Sequence, residues 1–278
     1  MIGVESSRVM RAAPRKAAER EEASVPWDFS RKYAAVHHSG TISVENARKR
    51  SKIGRVMKVE TFETPQDAAK ALAGEVAELI RTRAAEGKNV VLGLATGATP
   101  LPFYAELVRM HKEEGLSFAN VISFNLDEYS GLDRDHPESY WYFMHTNLFN
   151  HIDIKPENIN LPSGTVKDDE IAAHCAAYEQ KIKDCGGIDL QILGIGRTGH
   201  IGFNEPGSDD TTITRQVHLD ELTRSDAAPA FGGIENVPTT AITMGVATIM
   251  GAREVALMAW GEKKASIVKK AVQGPVTV

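Results

Sequence analysis

The sequence predicts an α/β protein: a doubly wound, mostly parallel sheet with helices on both faces. Two observations predict it. From Val56 onward, short apolar strands alternate with helices of 10 to 20 residues, a pattern that implies right-handed crossovers and a covered parallel sheet. Two of the strands also run out into chemistry. Asp189-Leu-Gln-Ile-Leu193 breaks into a loop with four glycines, His200 and Glu205, and Val121-Ile-Ser-Phe-Asn125 runs into Asp127 and Glu128. Reactive side chains at strand ends place a site at the carboxyl edge of the sheet.

The elements follow in order. Residues 1–55 are rich in Arg, Lys, Ala and Ser without a clear period. They read as a weakly ordered N-terminal extension with a short helix near Arg15–Ala23. Residues 56–278 form the main domain. Lys58–Phe62 alternates as a strand. Thr64-Pro-Gln-Asp67 starts a helix, with Thr64 as N-cap, Pro65 at the first helical position and an acid three residues after the cap. That helix runs to about Glu86 and stops at Gly87. Val90–Leu94 is a buried strand, Leu101–Glu114 a helix closed by Gly115, and Val121–Leu126 the next strand. An aromatic helix lies near Ser139–Phe149. Asp168-Asp-Glu170 puts acids at the positive end of a helix that runs to Asp184. Leu190–Leu193, Gln216–Leu219 and Val255–Trp260 are further strands; Gly245–Met250 and Lys264–Val272 are short helices. A strand is starting after Gly274-Pro275, so the domain reads as truncated at its C-terminus.

Composition narrows the partners. A net charge of −5 over 278 residues opposes a general nucleic-acid binder, so any phosphate must be held by a local pocket. No apolar run approaches membrane-spanning length. Cys175 and Cys185 lie about 15 Å apart along one helix, too far for a disulfide, and read as reduced thiols. No His-x-x-x-His or Cys-x-x-Cys spacing points to a metal.

Three segments carry the chemistry. In Leu94-Ala-Thr-Gly-Ala-Thr-Pro100, hydroxyls and amides precede a helix N-terminus, which suits a phosphate monoester. The simpler alternative is a strand-to-helix turn with Thr99 as N-cap and Pro100 at the first helical position. Asp127 and Glu128 cannot both point the same way on a strand; one faces the cleft and the other bonds to its surroundings. His136-Pro-Glu-Ser139 is a lid or a helix cap. His200 between glycines, with Glu205 on the same loop, offers a proton carrier and a carboxylate to orient it. Gly194-x-Gly196-x-x-Gly199 matches a dinucleotide fingerprint, but Gly202, Pro206 and Gly207 interrupt the helix that fingerprint requires, so the match reads as accidental.

At these residues the chain closely resembles the glucosamine-6-phosphate deaminase family. The matching segments are Leu94–Pro100, Ser123–Tyr129, His136–Ser139, Gly199-His-Ile-Gly-Phe-Asn-Glu-Pro206 and Ala241-Ile-Thr-Met-Gly245. The resemblance implies a modified Rossmann-like fold and a cytoplasmic, cofactor-free enzyme. It also implies the conversion of glucosamine 6-phosphate and water to fructose 6-phosphate and ammonia, a C–N hydrolysis coupled to aldose–ketose isomerisation. Asp127 resembles the base that moves a proton between C2 and C1. His200 resembles the ring-opening acid/base and Glu205 its supporting carboxylate. Thr96, Gly97, Ala98, Thr99 and Lys264 resemble the phosphate cradle. The implied partner is a small sugar phosphate, with no nucleic acid and no membrane. A homo-oligomer and a second hydrolase-like module on a longer chain are both compatible with the resemblance.

Three positions depart from the family pattern. Thr198 replaces an Asp two residues before the histidine, leaving Glu205 as its ionic partner. Pro229 stands where the family has an Arg that closes over the phosphate, a role left to Arg224 or Lys263. Val217 replaces a basic residue of an allosteric site, although Arg215 remains. The competing readings are a 6-phosphogluconolactonase-like hydrolase, which lacks the Phe203–Pro206 continuation, and a sugar-phosphate sensor without turnover.

Overall fold

The computed structural model describes residues 7–12 and 57–273. Its main sheet has seven strands: β1 (Ser7–Ala12), β2 (Met57–Phe62), β3 (Val90–Leu94), β4 (Val121–Asn125), β6 (Ile159–Asn160), β7 (Leu190–Leu193) and β10 (Glu254–Trp260). Their spatial order is β2-β1-β10-β7-β3-β4-β6. Every pair from β10 to β6 is parallel. Only β1 runs against its neighbours, pairing antiparallel with both β2 and β10.

The side-chain period of two sorts each strand between two layers. Leu92, Leu94, Leu190, Ile192, Ala256 and Met258 face one core; Val91, Leu193, Val255, Leu257 and Ala259 face the other. The first core is covered by α1 (Pro65–Ala85), α2 (Leu101–Glu114) and α3 (Tyr140–Asn147), the second by α4 (Ile171–Asp184), α6 (Val246–Met250) and α7 (Ala265–Gln273). Helices on both faces thus agree with the expectation. On α1, Ala68, Ala69, Leu72, Ala73, Val76, Ala77 and Ile80 form the buried stripe. Thr64 caps it, accepting from the Asp67 N–H at 3.1 Å. Gly115, at φ 69°, ends α2 in the left-handed conformation that favours glycine.

From β3 the chain moves first to one side, through β4 and β6, and then to the other, through β7 and β10. The crevice between the carboxyl ends of β3 and β7 is therefore a topological switch point. The Thr96–Thr99 loop after β3 and the loop carrying His200 after β7 leave the sheet there.

A second sheet was not expected. β5 (Asp127–Tyr129), β9 (Thr240–Thr243) and β8 (Arg215–His218) form it in the order β5-β9-β8, antiparallel throughout. Leu126 is the hinge between sheets: its N–H donates to the Leu94 carbonyl, and its own carbonyl accepts from the Met244 N–H at 2.7 Å. The strand expected at Gln216–Leu219 therefore belongs to this small sheet. A further helix, α5 (Glu221–Phe231), occupies the segment carrying Pro229. Phe231 packs edge-on against Tyr129 and stacks on His136.

Within the N-terminal segment, Ser7–Ala12 enters the main sheet as β1. The helix expected near Arg15–Ala23 and the strand start after Pro275 lie outside the described residues. Both cysteines are free. Among the described residues no helix is long and apolar enough to cross a membrane.

Candidate active site

A cavity of about 310 Å³ opens at the switch point. It is lined by Thr96, Gly97, Ala98 and Thr99 after β3, by Asp127 at the start of β5, by Gly196, Arg197 and His200 after β7, and by Lys264. Thr223 and Asp226 of α5 close one side. Of Asp127, His200 and Glu205, Glu205 alone does not line it and sits behind His200.

Thr99 is not the cap of α2. Pro100 is the N-cap residue and makes no side-chain cap bond, and α2 begins at Leu101. Tyr104 holds the loop from below, its hydroxyl donating to the Ala95 carbonyl at 2.5 Å. Gly194 packs close to Thr99, so the two loops lie side by side.

His200 is held by a small polar network. Its Nδ1 lies 3.0 Å from Glu205 Oε1 and 3.0 Å from the Thr198 hydroxyl. Thr198 donates to Glu205 Oε2 at 2.7 Å, and Thr223 donates to Glu205 Oε1 at 2.7 Å. A hydroxyl that gives its proton to the carboxylate can accept from Nδ1–H. Both neighbours therefore favour the proton on Nδ1, which leaves the Nε2 lone pair for the cavity. Thr198 thus replaces the expected Asp with a neutral bridge: Glu205 is the ionic partner, and Thr198 fixes both it and the ring.

The imidazole rests on Gly196. A Cβ there would sit 2.2 Å from His200 Nε2. Gly196→Ala should therefore displace the ring while leaving the core untouched. We expect turnover to fall about 100-fold with melting temperature within a few degrees of wild type; paired rate and thermal-melt measurements check it.

Asp127 is 5% exposed. Burial first, and the neighbouring Glu128 carboxylate second, push its pKa up to about 8. Glu128 points away, as strand alternation requires, and takes three backbone N–H groups from Tyr129, Tyr140 and Trp141. Gly202, at φ 56°, lets the carboxylate approach: a Cβ there would meet Asp127 Oδ2 at 3.2 Å and the Thr243 hydroxyl at 2.9 Å. Asn204 pins the same turn, donating to the Ile201 and Met244 carbonyls at 2.9 and 2.7 Å. Ser139 is the cap of α3, its hydroxyl accepting from the Tyr142 N–H at 3.0 Å, so His136–Ser139 is a helix start.

The cations are arranged differently from expectation. Lys264 reaches the cavity and donates to the Ile195 carbonyl at 2.7 Å, with burial lowering its pKa. Arg224 turns away to the Ile234 and Val237 carbonyls, and Lys263 does not line the cavity. The arginine that does is Arg197, paired with Asp226. It lies inside the loop that sequence reasoning had already marked. Thr223 and Asp226, also missed, had no local signal, because their place in the cavity depends on how α5 packs.

Residues 63–277 match the family model described as glucosamine-6-phosphate isomerases/6-phosphogluconolactonase. The chain belongs to this family. A glucosamine-6-phosphate deaminase of Thermoanaerobacter is 48% identical over 74% of this chain and 81% of its own length. A putative glucosamine-6-phosphate deaminase-like protein of Bacteroides thetaiotaomicron is 46% identical over 84% of this chain. This chain spans 35% of that relative's length. A monomeric glucosamine-6-phosphate deaminase of known structure superposes with a TM-score of 0.71 at 40% identity, covering 77% of this chain and 86% of the other. The family match runs through both loops of the cavity, from Thr96 to Lys264.

Proposed function

We propose that this protein deaminates glucosamine 6-phosphate, releasing fructose 6-phosphate and ammonia, in cytoplasmic amino-sugar catabolism. The observation that carries this reading is one cavity holding two distinct proton-transfer groups. One is a histidine with a free Nε2; the other is a buried carboxylate of raised basicity. A ring must be opened and then a C–H proton moved, and these are two tasks for two groups.

The phosphate sits against Thr96–Thr99 and Lys264. His200 Nε2 takes the proton of the C1 hydroxyl and returns it to the ring oxygen as the C1–O5 bond breaks, giving the open aldehyde. Glu205 stabilises the charged imidazole that forms in between. Asp127 removes the proton from C2 while the C1 carbonyl oxygen takes a proton from the substrate ammonium, giving an enolamine; Asp127 then returns its proton to C1, which leaves a hydroxyl on C1 and an iminium at C2. Water adds to that carbon, and ammonia departs as the C–N bond breaks. No electrons are exchanged with a cofactor in this sequence.

Asp127 acts as a base only when ionised. With a pKa near 8 in the empty site, kcat/KM should fall about tenfold per pH unit below that value. Bound substrate brings an ammonium group beside the carboxylate, which favours its charged form. The acid limb of kcat should therefore lie at lower pH than that of kcat/KM. Steady-state rates between pH 5.5 and 9 test this; coincident limbs would place the substrate amine away from Asp127.

The reading itself is tested with purified protein and two substrates. Glucosamine 6-phosphate should give ammonia and fructose 6-phosphate in equal amounts. Acid release from 6-phosphogluconolactone alone would make it a lactonase. Phosphate-sugar binding with neither reaction would make it a sensor.

A further inference from the structure

We propose that Arg197 is the second phosphate cation of this site, and that Asp226 holds its place until a phosphate arrives. The inference deepens the reading above and rests on its assignment of the phosphate to this end of the cavity.

A phosphate monoester is a dianion near neutral pH, and Lys264 supplies one charge. Nothing on α5 supplies another: Pro229 sits inside that helix, and Arg224 is committed to two carbonyls outside the cavity. Arg197 lines the same cavity as Lys264 and Thr96–Thr99. Its guanidinium presents two donors to Asp226, Nε at 3.0 Å from Oδ2 and Nη2 at 2.6 Å from Oδ1. That is the fork geometry with which arginine also grips two oxygens of a phosphate. Asp226 is thus a stand-in of the right shape, with one negative charge where phosphate would bring two.

The pair can exchange. Both side chains are about half exposed, 49% and 52%, and an ion pair so open to water contributes little to stability. Lys264 feels both charges, raised by Asp226 and lowered by Arg197, so the three groups share one local field. Asp226 also has a cost for the ligand. Unless it stays bound to Arg197 or swings aside, it repels the incoming dianion. The Arg197–Asp226 pair ties the loop to α5 beside the Thr223–Glu205 bond, and it is the one of these two ties that phosphate would replace.

A simple tie between loop and helix predicts a different outcome from a place-holder. If the pair only tethers α5, removing either partner loosens the site in the same sense. If Asp226 competes for Arg197, the two removals act in opposite directions. The experiment uses Arg197→Ala, Arg197→Lys and Asp226→Asn in the full chain. Inorganic phosphate binding is read by calorimetry, KM and kcat with glucosamine 6-phosphate, and folding by thermal melts. Expected for Arg197→Ala is a Kd for phosphate and a KM each raised about tenfold or more, with kcat changed less than about threefold. Arg197→Lys should recover part of the loss, since charge returns without the fork. Asp226→Asn should tighten phosphate about threefold or more. Phosphate affinity within twofold of wild type in Arg197→Ala, or both variants shifting the same way, overturns the proposal. Absence of ammonia from every protein would sink the deaminase reading instead, while the phosphate titrations would still read Arg197.

Discussion

Asp127→Asn is expected to abolish ammonia release while leaving the protein more stable than wild type at pH 8. The first half follows from its place at the hinge between the two sheets, where its carboxylate lines the cavity beside Gly202. Asparagine keeps the shape and cannot accept the C2 proton, and losing a positioned base costs roughly 10²–10⁴ in rate. The second half follows from the cause of its raised pKa. In an unfolded chain Asp127 ionises near 3.8, and in the folded site near 8. Between those values the folded state holds a proton that the unfolded state has released. Stability is therefore full below the unfolded value and is lost as pH rises towards 8. The loss is on the order of 1 kcal/mol per pH unit across that window. Asparagine carries no such proton, so its variant lacks that slope. Thermal melts at pH 5 and pH 8 should show the variant gaining on wild type at the higher pH. Equal pH dependence in the two proteins would mean that Asp127 is already ionised in the fold.

Glu128→Ala is expected to be the most damaging single change to the fold among the two carboxylates. Glu128 is 3% exposed. Its Oε1 accepts from the N–H groups of Tyr129 at 2.9 Å and Tyr140 at 3.0 Å, and its Oε2 from that of Trp141 at 3.0 Å. Those last two amides open α3, where free donors collect. Burial raises the pKa of this carboxyl, and the three N–H groups oppose that. Removing it leaves buried donors without partners at a cost of about 3 kcal/mol or more. Tyr140, which stacks on Phe203, loses its anchor, so turnover should fall as well. Denaturant titration gives the stability change. Glu128→Gln should be milder than Ala, because one amide oxygen still accepts while its NH₂ faces a donor. A Glu128→Ala protein as stable as wild type would contradict this role.

These two neighbours show what a sequence can and cannot convey. Strand alternation alone was enough to say that one carboxylate faces the cleft and the other bonds to its surroundings. The helices with caps and a full apolar stripe were equally legible: Thr64 starts α1 and Gly115 ends α2 as their residue types require. The small sheet was hidden because β5 and β9 are three and four residues long, too short for a period to register. Helix α5 has no buried residue and a proline inside it, so neither an apolar stripe nor propensity announces it. Strand β1 lies in a stretch of mixed charge without alternation, and its strand character comes from the register between β2 and β10.

The site divides along the same line. His200, Glu205, Asp127 and the Thr96–Thr99 loop are contiguous with strand ends, so their meeting at the switch point follows from topology. Lys264 comes from the turn before α7 and was reached through resemblance alone. Thr223 and Asp226 depend on α5, and Arg197 shows its significance only through them. The neutral bridge made by Thr198 is likewise a three-body arrangement, which no pairwise comparison of residue types could supply.

The most direct test of the whole account is a crystal structure of the protein with an unreactive open-chain amino-sugar 6-phosphate. The phosphate should lie against Thr96–Thr99 and Lys264, with His200 Nε2 at the position of the ring oxygen and C2 about 3.5 Å or less from an Asp127 oxygen. A ligand whose phosphate lies elsewhere, or whose C2 is out of reach of Asp127 while its other end is correctly seated, would contradict it.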